Sequence, residues 1–284
     1  MRMNFAAVVR NDLAARARKY ALAKGLPHSL SYGETAIACF APHENESEHG
    51  NFLSASYRAI RANPAWMRRL SKVHTQARRS LPMTDRGRWN ELDSCMSSDA
   101  LLMNIFCYPG VFRGRKFAQR WGIEPGIAPR FGYKARVPLA NGRSDRTEVD
   151  LRLGSLLIEA KLTENNFQSA KKDVVRAYRD FSSVFSSHEL PQTESHYLSY
   201  QLLRNVLAAY SLQCSFCVLV DERRRDLMDA WYAVLKCVKP VDLRTQLKIL
   251  TWQEVAQTVP PRLQVFLAGK YGIGDSSPTL PTES

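Results

Sequence analysis

Residues Thr147 to Lys161 leave the chain little choice of local structure. Over Thr147 to Leu153, charged Glu148, Asp150 and Arg152 alternate strictly with Val149, Leu151 and Leu153, the period-two pattern of a strand with one polar and one apolar face. Gly154-Ser155 supplies a two-residue turn that begins with glycine, and Leu156 to Lys161 returns as a second strand. That turn pairs Leu153 with Leu156 and, stepping outward, sets Asp150 against Glu159 and Glu148 against Lys161. Opposed residues share a face, so three carboxylates and one lysine converge on one side. Val149, Leu151, Leu156, Ile158 and Ala160 offer an apolar side to a core.

Two carboxylates held opposite one another repel, and a cation between them removes the repulsion. A hard divalent ion, magnesium or manganese, suits carboxylate oxygens and keeps several waters, one of which can lose its proton and attack a phosphodiester phosphorus. Lys161, one pleat beyond Glu159, is placed to orient such a water or to neutralise charge in the transition state. The competing reading is the solvated face of an ordinary hairpin, with Glu148 and Lys161 as a cross-strand salt bridge.

Charge agrees with a phosphate-bearing partner. Forty Lys plus Arg against 27 Asp plus Glu give a formal net charge of +13, which attracts polyanions, although a merely solvated basic surface has the same composition. Arg68, Arg69, Lys72, Arg78 and Arg79, and the run Arg223 to Arg225, are the clusters that can track a phosphate backbone. No apolar run reaches the roughly 18 residues needed to span a bilayer, so no membrane role is expected. Six irregularly spaced cysteines read as reduced thiols in a cytoplasmic protein, and Cys214 and Cys217 sit in the apolar run Leu212 to Val220, a core strand in preference to a zinc site. Neither a Gly-x-Ser-x-Gly elbow nor a Gly-x-x-x-x-Gly-Lys-Ser/Thr loop is present, so ATP-driven chemistry would need a partner chain.

Around the hairpin, helical spacing appears over Met1 to Arg18, where an N-terminal helix is expected in preference to a transit peptide, and over Asn51 to Arg61 and Pro64 to Arg79. Ser97 or Ser98 caps a helix through Phe106 that stops at Pro109-Gly110. Helices are expected over Phe167 to Phe185, His196 to Leu212 and Leu227 to Cys237, with strands at Ser215 to Asp221 and Leu247 to Leu250. Thr251-Trp-Gln-Glu254 has the spacing of a capping box.

Asp150, eight intervening residues and then Glu159-Ala-Lys161 at the end of an apolar strand resembles the PD-(D/E)xK nuclease signature, with Val149 in place of the proline. Ser97 to Phe106, which includes Asn104, Ile158 to Glu164, Tyr200 to Asn205 and Lys270 to Ile273 resemble, in the same order, the blocks of a bacterial restriction-endonuclease family. The resemblance runs from about residue 45 to residue 273 and implies an α/β, restriction-endonuclease-like mixed sheet flanked by helices, with a helical N-terminal extension. It further implies Asp150, Glu159 and Ala160 as metal ligands for Mg2+ or Mn2+, with Asp150, Glu159 and Lys161 catalytic. In related RecB-like nucleases a glutamine on the helix after the ExK strand assists; Gln201 matches it, although Asn205 stands where a tyrosine is expected. Glu148 and Glu164 are read as carboxylates that support these ligands or hold a second ion, with a surface role as the alternative. The expected organisation is a helical region over 1–90, a nuclease-like domain over 91–273 and a disordered tail over 274–284. The expected activity is DNA endonuclease action in restriction or defence, with a non-cutting nucleic-acid binder as the rival. A homodimer would supply the two sites that double-strand cleavage often uses.

Overall fold

The computed structural model describes residues 4–31, 35–40, 47–73, 89–124 and 126–274. Arg78, Arg79 and the tail from residue 275 lie outside them. The chain divides into two units, Arg10–Arg120 with Trp252–Ser284, and Trp121–Thr251 with Met1–Val9.

The first of these units is built mainly from helices. Its elements are α1 (Phe5–Lys24), which begins in Met1–Val9 and runs on, the antiparallel pair β1 (His28–Leu30) and β2 (Ala38–Phe40), α2 (Ser54–Ala62), α3 (Pro64–Leu70), α4 (Ser98–Phe106) and α5 (Arg115–Trp121). The expected N-terminal helix is therefore present. Ser97 caps α4, its hydroxyl accepting from Ala100 N at 3.1 Å. Asn104, on the buried α4, donates to Asn51 O at 3.0 Å and to Ala100 O at 2.9 Å, while its Oδ1 accepts from Leu53 N at 2.8 Å. Its role is thus to satisfy the backbone entering α2. Asn104→Ala leaves those groups unpaired and is expected to cost about 1–3 kcal/mol, to be checked by chemical denaturation; an unchanged midpoint would show that the buried amide is dispensable. Arg69 and Lys72, expected to track phosphates, instead pair with buried Asp99 at 2.6 and 3.0 Å. A desolvated carboxylate requires that compensation.

The second unit holds a five-stranded sheet in the order β11-β10-β7-β6-β3, from β3 (Arg130–Lys134), β6 (Glu148–Leu153), β7 (Leu156–Ala160), β10 (Ser215–Val220) and β11 (Leu247–Thr251), after the short β4 (Val137–Pro138) and β5 (Ser144–Asp145). Strand β6 pairs antiparallel with both β3 and β7, whereas β10 pairs parallel with both β7 and β11. The sheet is mixed, as expected. A second pair, β8 (Ser169–Lys171) with β9 (His196–Leu198), precedes α8 (Tyr200–Leu212), and α6 (Lys172–Arg176), α7 (Phe181–Val184), α9 (Arg225–Leu235) and α10 (Val241–Thr245) complete the unit. Leu202, Leu203 and Val206 of α8 and Trp231 of α9 share one core with Leu157, Phe216 and Val218 of the sheet. Each such fully buried aliphatic or aromatic side chain contributes about 1.5–3 kcal/mol of transfer free energy.

The unbroken helix expected over Phe167 to Phe185 is not formed. Gln168 takes φ +58, outside the helical region, and Ala170 pairs with Tyr197, so this stretch spends its backbone on β8 and two short helices. Back in the first unit, α11 (Trp252–Ala256) starts where the Thr251 signal placed a helix, and the Glu254 carboxylate meets the Arg120 guanidinium at 3.3 Å. The last helix is α12 (Pro261–Tyr271). Its Lys270 is fully enclosed, donating to Asn51 Oδ1 at 2.5 Å and Gly50 O at 3.3 Å, with the Phe40 ring 4.6 Å away. Burial pushes that amine well below its ordinary range. Among the described residues no helix is long and apolar enough to cross a membrane.

Candidate active site

The tight hairpin forms, with the register read from the sequence next to its turn; the pairings expected further out, Asp150 with Glu159 and Glu148 with Lys161, are not among its regular pairs. Leu153 pairs with Leu156, Arg152 with Leu157 and Leu151 with Ile158, and Gly154 takes φ +55 at the turn, a left-handed conformation that glycine adopts without cost. The regular pairs end there, and on the α8 side Glu159 is met by Asn205 of that helix. The competing reading of a solvated hairpin face does not hold for β7, all of whose residues are buried, with Glu159 1% exposed and Lys161 5%, while Glu148, Asp150 and Arg152 of β6 are half-buried. A strand paired on both sides and carrying a helix on its polar face has no solvated side.

Burial of charge on this scale requires partners, and they are present. Glu159 Oε1 accepts from Lys161 Nζ at 2.8 Å and Oε2 from Asn205 Nδ2 at 2.7 Å, with an Arg204 guanidinium nitrogen 3.9 Å from Oε2. Asp150 Oδ2 accepts from Ala160 N at 2.8 Å, which ties the two strands together beyond the last regular pair. Lys161 N donates to Leu219 O at 2.8 Å, fixing the lysine's backbone to β10. Burial by itself would lower the Lys161 ammonium, but the negative charge of Glu159, Glu164 and Asp150 and the hydrogen bond to Glu159 outweigh it and hold the group above its ordinary range. Lys161 is therefore a protonated, buried cation at neutral pH.

The remaining expected residues are placed around this pair. Glu164 is half-buried on the loop after β7 and folds back so that Oε2 accepts from Leu162 N at 2.7 Å. Glu148, at the start of β6, pairs in register with Lys134 of β3 and offers its carbonyl to Arg204 at 3.0 Å. Gln201 lies in the first turn of α8, its backbone amide donating to Phe167 O at 3.0 Å and its Oε1 buried without a hydrogen-bond partner. One turn later on the same helix face comes Asn205.

Asn205 and Arg204 were not singled out as site residues by sequence. Arg204 donates through Nε and a terminal nitrogen to Asn205 Oδ1 at 3.2 and 3.1 Å, which fixes the sense of the amide so that its NH2 group faces Glu159. The four-residue spacing from Gln201 was the available signal. Asn205→Ala is expected to lower stability by about 1–3 kcal/mol, and Asn205→Asp by more, since it sets a second carboxylate against Glu159. Urea denaturation would measure both, and an Asp variant as stable as wild type would contradict the contact. Arg224, read as part of a phosphate-tracking run, is instead fully buried, donating to Glu164 O at 2.8 Å and Asn165 O at 3.2 Å, and so secures the loop that follows Lys161. Its neighbour Arg223 pairs with Asp221 at 2.8 Å.

The oxygen donors here are of the kind that a hard cation takes. They are the Asp150 and Glu159 carboxylates, with the unpartnered Gln201 amide oxygen on the same helix face as the residue that touches Glu159. No group of three or more His, Cys, Asp or Glu side chains gathers at metal-holding distance among the described residues, but magnesium is commonly held by one or two carboxylates together with water and substrate phosphate.

Comparison with curated proteins and with solved structures gives no match. The family described as Restriction Endonuclease associating with ARP matches residues 28–272. That span takes in the hairpin, α8 and the lysine-bearing last helix, and on it the chain belongs to this restriction-endonuclease family.

Proposed function

We propose that the protein is a metal-dependent endonuclease of the PD-(D/E)xK kind that hydrolyses phosphodiester bonds in DNA. The observation that carries this reading is the buried Lys161, whose Nζ lies 2.8 Å from Glu159 Oε1, next to Ala160, whose backbone N donates to Asp150. Asp150, Glu159 and Ala160 are the residues that would hold Mg2+ or Mn2+, which when bound supplies a water that loses its proton near neutral pH and a positive charge for the scissile phosphate. The chain supplies the rest. Lys161 keeps a fixed cation beside the reacting group, where low polarisability of the surroundings strengthens its pull on charge developing on phosphate oxygens. Asn205, aligned by Arg204, restrains Glu159 so that its carboxylate need not reorganise during the reaction. Gln201 Oε1 offers an acceptor to the attacking water, and Glu164, whose charge bears on Lys161, keeps that lysine protonated.

A second reading, a nucleic-acid binder that does not cut, is favoured by one observation: both Glu159 oxygens are already engaged by Lys161 and Asn205. Incubation with plasmid, linear duplex and single-stranded DNA, with magnesium and with a chelator, separates the two. Cleavage that depends on the metal supports the enzyme; DNA retention without cleavage in every metal condition supports the binder. The family description names ARP as an associate. We further propose a homodimer in the cytoplasm, with a partner protein contributing any step that consumes ATP.

A further inference from the structure

We propose that edge strand β3 and its flanking cations form the groove in which the sugar-phosphate backbone of the nucleic acid lies, leading it to Asp150; this deepens the nuclease reading and rests on it. Strand β3 is the outer strand of the sheet, so one side of its backbone has no strand partner among the described residues. A concavity of about 640 Å³ runs along it, lined by the whole stretch from Arg130 to Arg136 and closed by Ser211 and Leu212 at the end of α8, the helix that also covers Glu159.

The groove carries an excess of positive charge. Arg130 and Arg152 stand directly opposite each other on neighbouring strands, an arrangement that like charges disfavour and that a bound anion relieves. Both guanidinium groups lie against the Tyr133 ring, at 5.1 and 4.6 Å from its centre, and Arg152 donates to the Tyr133 hydroxyl and to Gly154 O, neither of which neutralises it. Lys134 and Arg136 are exposed, and among the described residues none of these four cations meets a carboxylate within ion-pair distance. In the same unit Arg223 is matched by Asp221 and Arg224 by Asp226.

The strand also opens toward the candidate catalytic face. Pairing of Arg130 with Arg152 and of Lys134 with Glu148 brackets Gly132 against Asp150, so β3 presents no side chain beside that carboxylate. Glycine in mid-strand, here at φ +60, marks a place where a ligand comes close to the backbone. A second copy of the strand would bring its own cations onto these, which argues against edge-to-edge association and for a polyanion.

The test uses the full chain, a short labelled DNA duplex and a chelator, with binding followed by fluorescence anisotropy over a salt series. Wild type should lose affinity steeply with salt, and Arg130→Ala with Lys134→Ala should make the slope of log affinity against log salt shallower by about 2, close to one per phosphate contact removed. The charge-keeping pair Arg130→Lys with Lys134→Arg should restore most of the slope, and thermal melting checks that each variant folds. An unchanged slope in the alanine variant overturns the groove, and so does displacement of the duplex by polyglutamate at lower concentration than by unlabelled DNA. Cleavage of plasmid in magnesium, measured on the same wild-type preparation, keeps the two readings apart. Cleavage with an unchanged slope removes the groove and leaves the nuclease, whereas a changed slope without cleavage keeps the groove and removes the nuclease.

Discussion

Lys161→Ala is expected, on the proposed nuclease reading, to slow magnesium-dependent DNA cleavage by about a hundredfold or more, because that reading sets this buried cation beside the scissile phosphate. The structure adds a second consequence. Lys161 is the closest cation to buried Glu159, so its removal strands a carboxylate and is expected to cost about 3–5 kcal/mol of stability. Activity must therefore be measured well below the melting temperature of the variant. A companion protein carrying both Lys161→Ala and Glu159→Gln separates the effects, since neutralising the stranded charge should restore much of the melting temperature without restoring cleavage. A Lys161→Ala protein that is folded and cleaves at the wild-type rate would reduce the pair to a buried structural salt bridge.

Asp150→Ala is expected to be at least as damaging, by a different route. It removes a proposed metal ligand and also the acceptor of Ala160 N, so affinity for the ion should fall before any effect on the chemical step. Raising magnesium should recover part of the rate in Asp150→Ala and none of it in Lys161→Ala. Isothermal titration with Mn2+ gives the readout independent of turnover: weakened binding in the Asp150 variant, and binding close to wild type in the Lys161 variant. Equal Mn2+ affinity in wild type and Asp150→Ala would remove Asp150 from the ligand set.

The parts of the site legible in the sequence are those fixed by local rules. Strict alternation over Glu148 to Leu153 and a glycine-first turn determine a hairpin and its register, because slipping by one residue would bury the charges and expose the leucines. Ser97 announced α4 through the hydrogen bond that its hydroxyl makes. What stayed hidden depends on contacts between distant segments. Nothing near Glu159 says that a helix more than forty residues later will cover its face, so a solvated hairpin face remained as a competing reading and Asn205 read as a departure from a pattern. Arg224 sits in a run of three arginines that looks like a surface patch, yet it faces inward because the loop at Glu164 and Asn165 has carbonyls to satisfy. The pair β8 and β9 failed to register because three-residue strands leave no periodicity to read.

The enclosure of Lys270 has a consequence in time. Its partner Asn51 lies 219 residues earlier, so at ordinary synthesis rates of about 5–20 residues per second the segment around Asn51 and Phe40 leaves the ribosome on the order of tens of seconds before the helix that completes its core exists. Meanwhile the sheet carrying Asp150 and Glu159, which ends at Thr251, has all of its strands. The nascent chain thus passes through an interval in which the candidate catalytic strands are assembled while apolar residues such as Ala38 and Phe40 await their cover, the period in which a chaperone would be of most use to it.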